Sequence, residues 1–440
     1  MFISHSFDAD MCVKFDFGGL KMAKKIISIV LFMAFFVMIG GPAGLQTEVT
    51  KTAVDFNPVS ALNESDKTIR FNSDGKLKIL QVADTHLEFD KNFEASIWVV
   101  AEACDIEKPD LVVLTGDNVT PSDDPEETKK LIDALMNVFE SRNIPVAVTF
   151  GNHDSEKGPM TREDIMAYYN TFSCSISVDD GEALSNCGTY NIPVLASDSD
   201  DVKFNIWVFD SGDYDNDEPR HYDRVHTDQI EWYKETSAKL KEENGGETVN
   251  SVVFLHIIVP EVYDALKKVD FWQPYAVEHN YNEGEYYMFD PDGINYGTLN
   301  EKPCPGYYND GQFDALVETG DVLAMFTGHD HTNAFGVRHK DIDIYTSPTT
   351  RYKGLAYTTQ YGYRVVEIDE NDTSTYETRV ERLYDVFDYD YIEVAKENGD
   401  KYSKRLAIEL AVKGSVQKFF TRIYQFAVEL IMGKKVVYPD

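Results

Sequence analysis

Five times in this chain an apolar run ends in a side chain that can bind a metal ion. Three of the runs turn through glycine first: Leu111–Leu114 before Thr115-Gly116-Asp117, Val146–Phe150 before Gly151-Asn152-His153, and Leu323–Thr327 before Gly328-His329-Asp330-His331. Two lack the glycine: Leu77–Ala83 before Asp84-Thr85-His86, and Val252–Leu255 before His256. Short continuous apolar runs read as buried strands. Strands that present Asp, Asn and His at their carboxyl ends place donors where α/β folds gather ligands. Glycine at such a turn allows a sharp bend and close approach of the backbone.

Strand candidates at 77–83, 110–115, 145–150, 203–210, 251–256, 321–327, 342–346 and 363–369 are interleaved with helical spacing of apolar residues over 91–107, 126–141, 227–243 and 309–319. Early runs separated by helices imply parallel βαβ units, and later runs with short connections imply antiparallel pairs. The expected fold is a mixed α/β sandwich. Residues 1–45 read as an N-terminal extension, 46–70 as a polar linker, 71–385 as the main domain and 386–440 as a C-terminal helical tail. Within the domain, 259–308 is rich in Tyr, Trp, Phe, Asn and Glu without a clear period. It reads as an irregular insertion, either a lid over the site or a packed surface excursion.

The net charge of −35 over 440 residues repels nucleic acid phosphates, so DNA and RNA are excluded as expected partners. Lys21, Lys24 and Lys25 precede the apolar stretch Ile26–Ile39 and then Gly40-Gly41-Pro42-Ala43-Gly44, the pattern of a secretory signal. The stretch is short for a spanning helix of about 20 residues. A secreted or extracytoplasmic location is expected, with an uncleaved anchor as the alternative. Lys401–Lys435 reads as a basic amphipathic helix, docked on its own acidic domain or, in the alternative, lying on an anionic membrane. Of the five cysteines, Cys174 and Cys187 bracket a polar loop and are the candidate disulfide. The sequence supplies no basis for an oligomeric state.

Hydrolysis of a phosphate ester needs a nucleophile and neutralisation of charge, and two cations about 3.5–4 Å apart provide both. Asp84 and His86 alternate along one extended segment. Asp117 is the natural bridging carboxylate, able to give one oxygen to each ion, and Asn152 offers a neutral oxygen. His256, His329 and His331 complete the set. Singly these motifs are weak, and His256 alone would read as a core histidine. Their ordered conjunction carries the argument.

That conjunction of Asp-x-His, Gly-Asp, Gly-Asn-His-Asp, a lone His and Gly-His-x-His resembles the calcineurin-like metallophosphoesterase superfamily over residues 77–369. The resemblance implies a sandwich of mixed β-sheets flanked by helices. It implies that Asp84, His86 and His331 bind one ion, that Asn152, His256 and His329 bind the other, and that Asp117 bridges them. His153 would be the catalytic imidazole at the leaving oxygen, with Asp154 orienting it, and a metal-bridging hydroxide would attack in line. Phe209-Asp210-Ser211-Gly212-Asp213-Tyr214, Gln229-Ile230-Glu231-Trp232-Tyr233 and His256-Ile257-Ile258-Val259-Pro260-Glu261 are similar to a branch of plant purple acid phosphatase-like proteins and a related fungal phosphatase. That branch's coloured relatives carry an iron-binding tyrosine three residues after the bridging aspartate. Here Thr120 stands there, so tyrosinate-to-iron colour is not expected.

Two divalent or trivalent ions are therefore expected, manganese, iron or zinc, because imidazole with carboxylate suits all three. The expected substrate is a small phosphate ester, a monoester foremost, with diester or nucleotide as alternatives. An inert scaffold of the same fold is the non-enzymatic reading. No His-Glu-x-x-His or Gly-x-Ser-x-Gly motif supports a protease. His221 and His226 read as solvated, with a substrate approach as the alternative for His221. His279 reads as a candidate substrate contact. Arg351 and Arg364 read as surface ion pairs, with a phosphate contact as the alternative for each.

Overall fold

The computed structural model describes residues 67–387 except 91, 179–183, 216, 218, 353–354 and 357–359. The signal-like segment, Cys12, most of the linker and the basic tail lie outside the described residues. The first half runs β1 (Lys76–Val82), α1 (Phe93–Glu107), β2 (Leu111–Thr115), α2 (Pro125–Glu140), β3 (Val146–Thr149), α3 (Arg162–Tyr169), β4 (Tyr190–Leu195), β5 (Val202–Val208), α4 (Thr227–Glu243) and β6 (Ser251–Phe254). The insertion contributes α5 (Val262–Ala265), β7 (Leu266–Val269), β8 (Val277–Glu278), β9 (Tyr286–Phe289) and β10 (Asn295–Thr298). The chain then continues through α6 (Gln312–Thr319), β11 (Val322–Thr327), β12 (Ala334–His339), β13 (Ile342–Thr346), β14 (Gly362–Asp369), β15 (Asp372–Arg382) and α7 (Leu383–Val386).

Two mixed sheets result, ordered β15-β14-β1-β2-β3 and β10-β12-β13-β11-β6-β5-β4. β1, β2 and β3 are mutually parallel, as are β5, β6, β11 and β13, while β14, β15, β12, β10 and β4 add antiparallel. Period-two alternation explains the layering. Leu77 and Ile79 of β1, Leu111 and Val113 of β2 and Ala147 of β3 share one buried cluster with Ile206, Val252, Phe254 and Phe326 of the other sheet. Their neighbours Leu80, Val82, Val112, Leu114, Val146 and Val148 face Leu131, Leu135 and Phe139 of α2. On the far side Trp207, Val253 and Met325 meet Tyr233 of α4 and Leu316 of α6. The molecule is an α/β sandwich, two sheets inside and helices outside, as the alternating runs predict. Among the described residues no helix is long and apolar enough to cross a membrane.

Several elements depart from expectation. β4, β12, β15 and α3 have weak patterns: Pro193 sits in the edge strand β4, Gly336 interrupts β12, and β15 is a charged edge strand. Residues 259–308 are not irregular, since β7, β9 and β8 pair into a small sheet and β10 extends the large one. Ile69, at the end of the presumed linker, is buried, and Arg70 bridges to Leu195 of β4. Cys174 and Cys187 are buried and unbridged. Each is tied elsewhere, Cys174 N–H to Glu140 (2.9 Å) and Cys187 N–H to Asp210 (3.1 Å).

One buried carboxylate fixes the large sheet against α4. Asp321 accepts from Trp207 Nε1 (3.0 Å), Ser251 Oγ (2.9 Å) and the Tyr233 hydroxyl. Asp321→Ala leaves buried donors unmatched at about 1–3 kcal/mol each. A destabilisation of about 2–4 kcal/mol is expected in urea unfolding, and an unchanged midpoint would refute the role.

Candidate metal centre

Beyond their last paired residues, the strands of both sheets remain bonded to one another. Asp84 N–H donates to the Gly116 carbonyl (3.1 Å), His86 N–H to that of Asp117 (2.8 Å), and Gly328 N–H to that of His256 (3.1 Å). The backbone then folds back through left-handed conformations at four non-glycine residues, Asp84 (φ 54°), His86 (φ 40°), Asp117 (φ 51°) and His329 (φ 73°). Each such residue stores strain of about 1–3 kcal/mol and persists only where its surroundings hold it. The glycines serve close approach. A Cβ on Gly151 would lie 2.2 Å from Asp117 Oδ1, and one on Gly328 would lie 2.8 Å from Asp84 Oδ2.

Two clusters of donors result. Asp84, His86, Asp117 and His331 bring ligand atoms within 4.8 Å of one another, and so do Asp117, His256 and His329. Asp117 belongs to both. Its Oδ2 lies 3.4 Å from His86 Nε2 and 3.3 Å from His256 Nε2, while Oδ1 accepts the His153 N–H (2.7 Å). One oxygen thus faces both clusters, rather than one oxygen facing each. Asn152 Oδ1 stands 3.3 Å from His256 Nε2, and the amide's Nδ2 donates to the Tyr214 hydroxyl (2.9 Å). All seven predicted donors converge.

The protonation of this cluster tests whether cations fit it. Burial holds His86 down at about 3 and lowers His329 and His331, so all three present unprotonated nitrogens. His86 Nε2 and His331 Nε2 approach to 3.1 Å, and His329 Nδ1 and His256 Nε2 to 3.2 Å. His329 Nε2 is buried without a partner. His256 differs: burial opposes its charge, yet Asp117's charge and hydrogen bond hold it up at about 9. Its Nδ1 lies 2.8 Å from the Thr115 carbonyl, which only accepts, so the second proton of the imidazolium sits on Nε2. Burial raises the Asp84 carboxyl well above its usual range; Asp117 is buried too, but His256 and His86 hold it well below. A metal ion at these donors would displace the His256 Nε2 proton. The residues fit cations.

His153 stands at the rim, its side chain 35% exposed and its ring 5.3 Å from that of His86. Asp154 does not orient it. Asp154 accepts from the N–H groups of Asn118 (2.9 Å), Val119 (3.1 Å) and Gly151 (2.8 Å), pinning two ligand loops together. The group on His153 Nδ1 is Glu156, at 2.5 Å. Sequence reasoning missed Glu156, whose only signal was a carboxylate three residues on, and Tyr214, which lay inside a quoted motif but carried no assigned role. The Tyr222 ring stands edge-on to His329 at 4.3 Å.

Other expectations change. Arg351 is buried, donates to the His86 carbonyl (2.9 Å) and pairs with Glu88 and Asp90. His226 pairs with Asp223 at the start of α4, and His221 stacks on Tyr307 at 4.1 Å, so neither is freely solvated. His279 stacks on Tyr263 (3.9 Å), and its Nδ1 accepts from the N–H groups of Tyr281 and Asn282, which gives it a structural role in the insertion. The insertion reaches the site, because Cys304 N–H donates to Asp330 (3.2 Å) and Thr332 N–H to Glu301 (2.6 Å).

Residues 77–333 match the family described as calcineurin-like phosphoesterase. A protein of Arabidopsis thaliana named probable inactive purple acid phosphatase 14 is 30% identical over 345 residues, 70% of this chain and 79% of that protein. The Saccharomyces cerevisiae phosphatase DCR2 is 26% identical over 290 residues, 60% of this chain and 46% of that protein. A solved dimetal phosphatase from Danio rerio aligns at 12% identity and a TM-score of 0.44, over 69% of this chain and 98% of that one.

Gly151→Ala would press a methyl group onto Asp117. Metal affinity, measured by chelator competition, is expected to fall about 10–100-fold, the range for a disturbed support of a ligand, with far-ultraviolet circular dichroism unchanged. Full affinity would show that the carboxylate's position is not critical.

Proposed function

The chain belongs to the calcineurin-like phosphoesterase family, and from that premise we propose that it is a metal-dependent hydrolase of small phosphate esters, phosphomonoesters foremost, exported from the cytoplasm. The convergence of two donor clusters on Asp117 Oδ2 supports this reading above all else. Asp84, His86 and His331 would hold one ion and Asn152, His256 and His329 the other, with Asp117 shared. Bound cations in such a pair supply hydroxide at neutral pH and neutralise charge on the phosphate oxygens. The chain's own residues do the rest. Tyr214 turns the Asn152 oxygen inward. The Asp154 carboxylate keeps the loops after β2 and β3 in register. Glu156 on Nδ1 fixes the His153 ring, which leaves Nε2 to deliver a proton to the departing oxygen.

Preference for monoesters draws support from the relatives, which are named as phosphatases. Export draws support from the basic and apolar pattern of Lys21 to Ile39. Unbridged cysteines are compatible with it, since burial pushes the Cys104 thiol up to about 12 and such thiols are poorly reactive. A second reading, an inert scaffold, is favoured by the word inactive in the plant relative's name. Against it stands the full set of seven donors together with His153.

The deciding assay loads the protein with manganese, iron or zinc and compares p-nitrophenyl phosphate, its bis ester and nucleotides. Hydrolysis of the monoester is expected to dominate. A preference for the bis ester would make it a diesterase, and no turnover with any metal would favour the scaffold.

His153→Ala is expected to cut turnover by about 10²–10⁴ while leaving metal content near wild type. Glu156→Gln should cause a smaller loss, on the order of tenfold, with a displaced pH profile. Undiminished turnover in His153→Ala would remove the proposed proton donor.

A further inference from the structure

The interior between the sheets is apolar along most of its length, yet at one edge it opens into a polar cavity of about 770 Å3. The cavity lies between β14 and β15 of one sheet and β10, β12 and β13 of the other, and no residue of the metal clusters lines it. Its volume suits a small organic ligand, for which about 300–1,000 Å3 is usual.

Two arginines mark it out. Arg364 is only 3% exposed, and its donors meet neutral acceptors alone: Ser347 Oγ (2.9 Å), Thr378 Oγ1 (3.1 Å) and the Thr346 carbonyl (2.8 Å). Arg382 donates to the Gln360 carbonyl and to Thr298 Oγ1 (3.2 Å). Among the described residues neither guanidinium forms an ion pair with a carboxylate. The β14–β15 register sets Arg364 opposite Val380, so Arg382 is its diagonal neighbour on the same face. Asp343, the carboxylate of the lining nearest in sheet position, is engaged by Arg338 (2.6 and 2.8 Å) and by the Tyr376 hydroxyl. Asp341 sits in the β12–β13 turn, at the other end of β12 from the strand pair that carries Thr298.

Two neighbouring guanidiniums at a cavity, neither in an ion pair among the described residues, are costly to bury, and burial lowers Arg364 to about 10. The carboxylates nearby are otherwise placed: Asp343 pairs with Arg338, Asp341 lies in the β12–β13 turn, and Asp385 acts on Arg382 through its charge without an ion pair. An anion entering the cavity would meet that cost, and guanidinium matches phosphate geometry well. An aromatic wall adjoins it. Arg364 lies over the Tyr345 ring (4.7 Å), and Tyr296, 49% exposed, stacks on Tyr345 with centroids 6.1 Å apart.

We propose that this edge cavity is a binding site, separate from the metal centre, for a phosphate group joined to a planar ring, the chemistry of a nucleoside monophosphate. Arg364, Arg382 and the Thr298 hydroxyl receive the phosphate, and Tyr296 receives the ring.

The test titrates the full-length protein calorimetrically with the methylene phosphonate analogue of adenosine monophosphate, whose phosphorus–carbon bond resists ester hydrolysis. Adenosine and inorganic phosphate are titrated alongside, and each titration is run with metal-loaded and metal-stripped protein. The analogue is expected to bind in both states. Its affinity should fall at least roughly tenfold in Arg382→Gln and in Tyr296→Ala, a size consistent with loss of one charged or stacking contact. Both variants should hydrolyse p-nitrophenyl phosphate at the wild-type rate. Adenosine or phosphate alone should bind at least tenfold more weakly than the analogue. Binding that vanishes on stripping the metal would assign it to the metal centre and overturn the proposal. So would unchanged affinity in both variants, or adenosine binding as tightly as the analogue.

Discussion

Asp117 carries the negative charge around which the two ligand clusters are assembled, and in the protein alone that charge is met chiefly by one proton on His256. His86, His329 and His331 contribute unprotonated nitrogens, and Asn152 contributes an oxygen because Tyr214 occupies its amide nitrogen. Lone pairs in such proximity repel one another unless a proton or a cation lies between them. A buried proton can satisfy one contact, whereas the converging donors leave several. Cation binding is therefore the state in which this arrangement is electrostatically complete.

Holding that arrangement falls to backbone rather than to side chains. Four donors occupy left-handed conformations that non-glycine residues avoid. The loops that carry them are bonded to one another across both sheets, and Asp154 adds three acceptances from backbone N–H groups. Strain at the site is offset by three apolar layers: helix on sheet, sheet on sheet, and sheet on helix. The fold thus supplies rigidity where the ligands need it, at the carboxyl ends of β1, β2, β3, β6 and β11.

Much of this was legible in the sequence because burial on both faces leaves continuous apolar runs, and those runs delivered the donors in order. Glycine was informative for the same reason: Gly151 admits no Cβ beside Asp117. What escaped was anything decided by direction rather than by order. Asp154 and Glu156 both lie close to His153 in sequence, and only the turn after Gly151 determines that the first faces backbone and the second the imidazole. β15 escaped because an edge strand with one solvated face carries few apolar residues. The insertion escaped because two- and four-residue strands are too short to display a period. Arg364 read as a surface residue since nothing local reveals that β14 turns it toward the opposite sheet.

The polar groups within the sandwich also form a continuous chain. Arg364 Nε donates to Ser347 Oγ, which donates to Gln81 Oε1 (2.6 Å). Gln81 Nε2 donates to Thr115 Oγ1 (3.0 Å) and to the Thr327 carbonyl (3.2 Å), and the Thr115 carbonyl accepts from His256. This path joins the edge cavity to the metal centre through the inner faces of both sheets. Proximity along a path is not coupling, which requires an element with two arrangements that both sites bias. Here Gln81 is buried and matched at both its oxygen and its nitrogen, a condition that favours a single arrangement. Its physical consequence is register: Gln81 on β1 reaches the Thr327 carbonyl on β11, so the two sheets cannot slide without breaking buried bonds. The donors of Asp84 and His86 on one sheet and of His329 and His331 on the other are thereby held at a fixed separation, which a shared carboxylate demands.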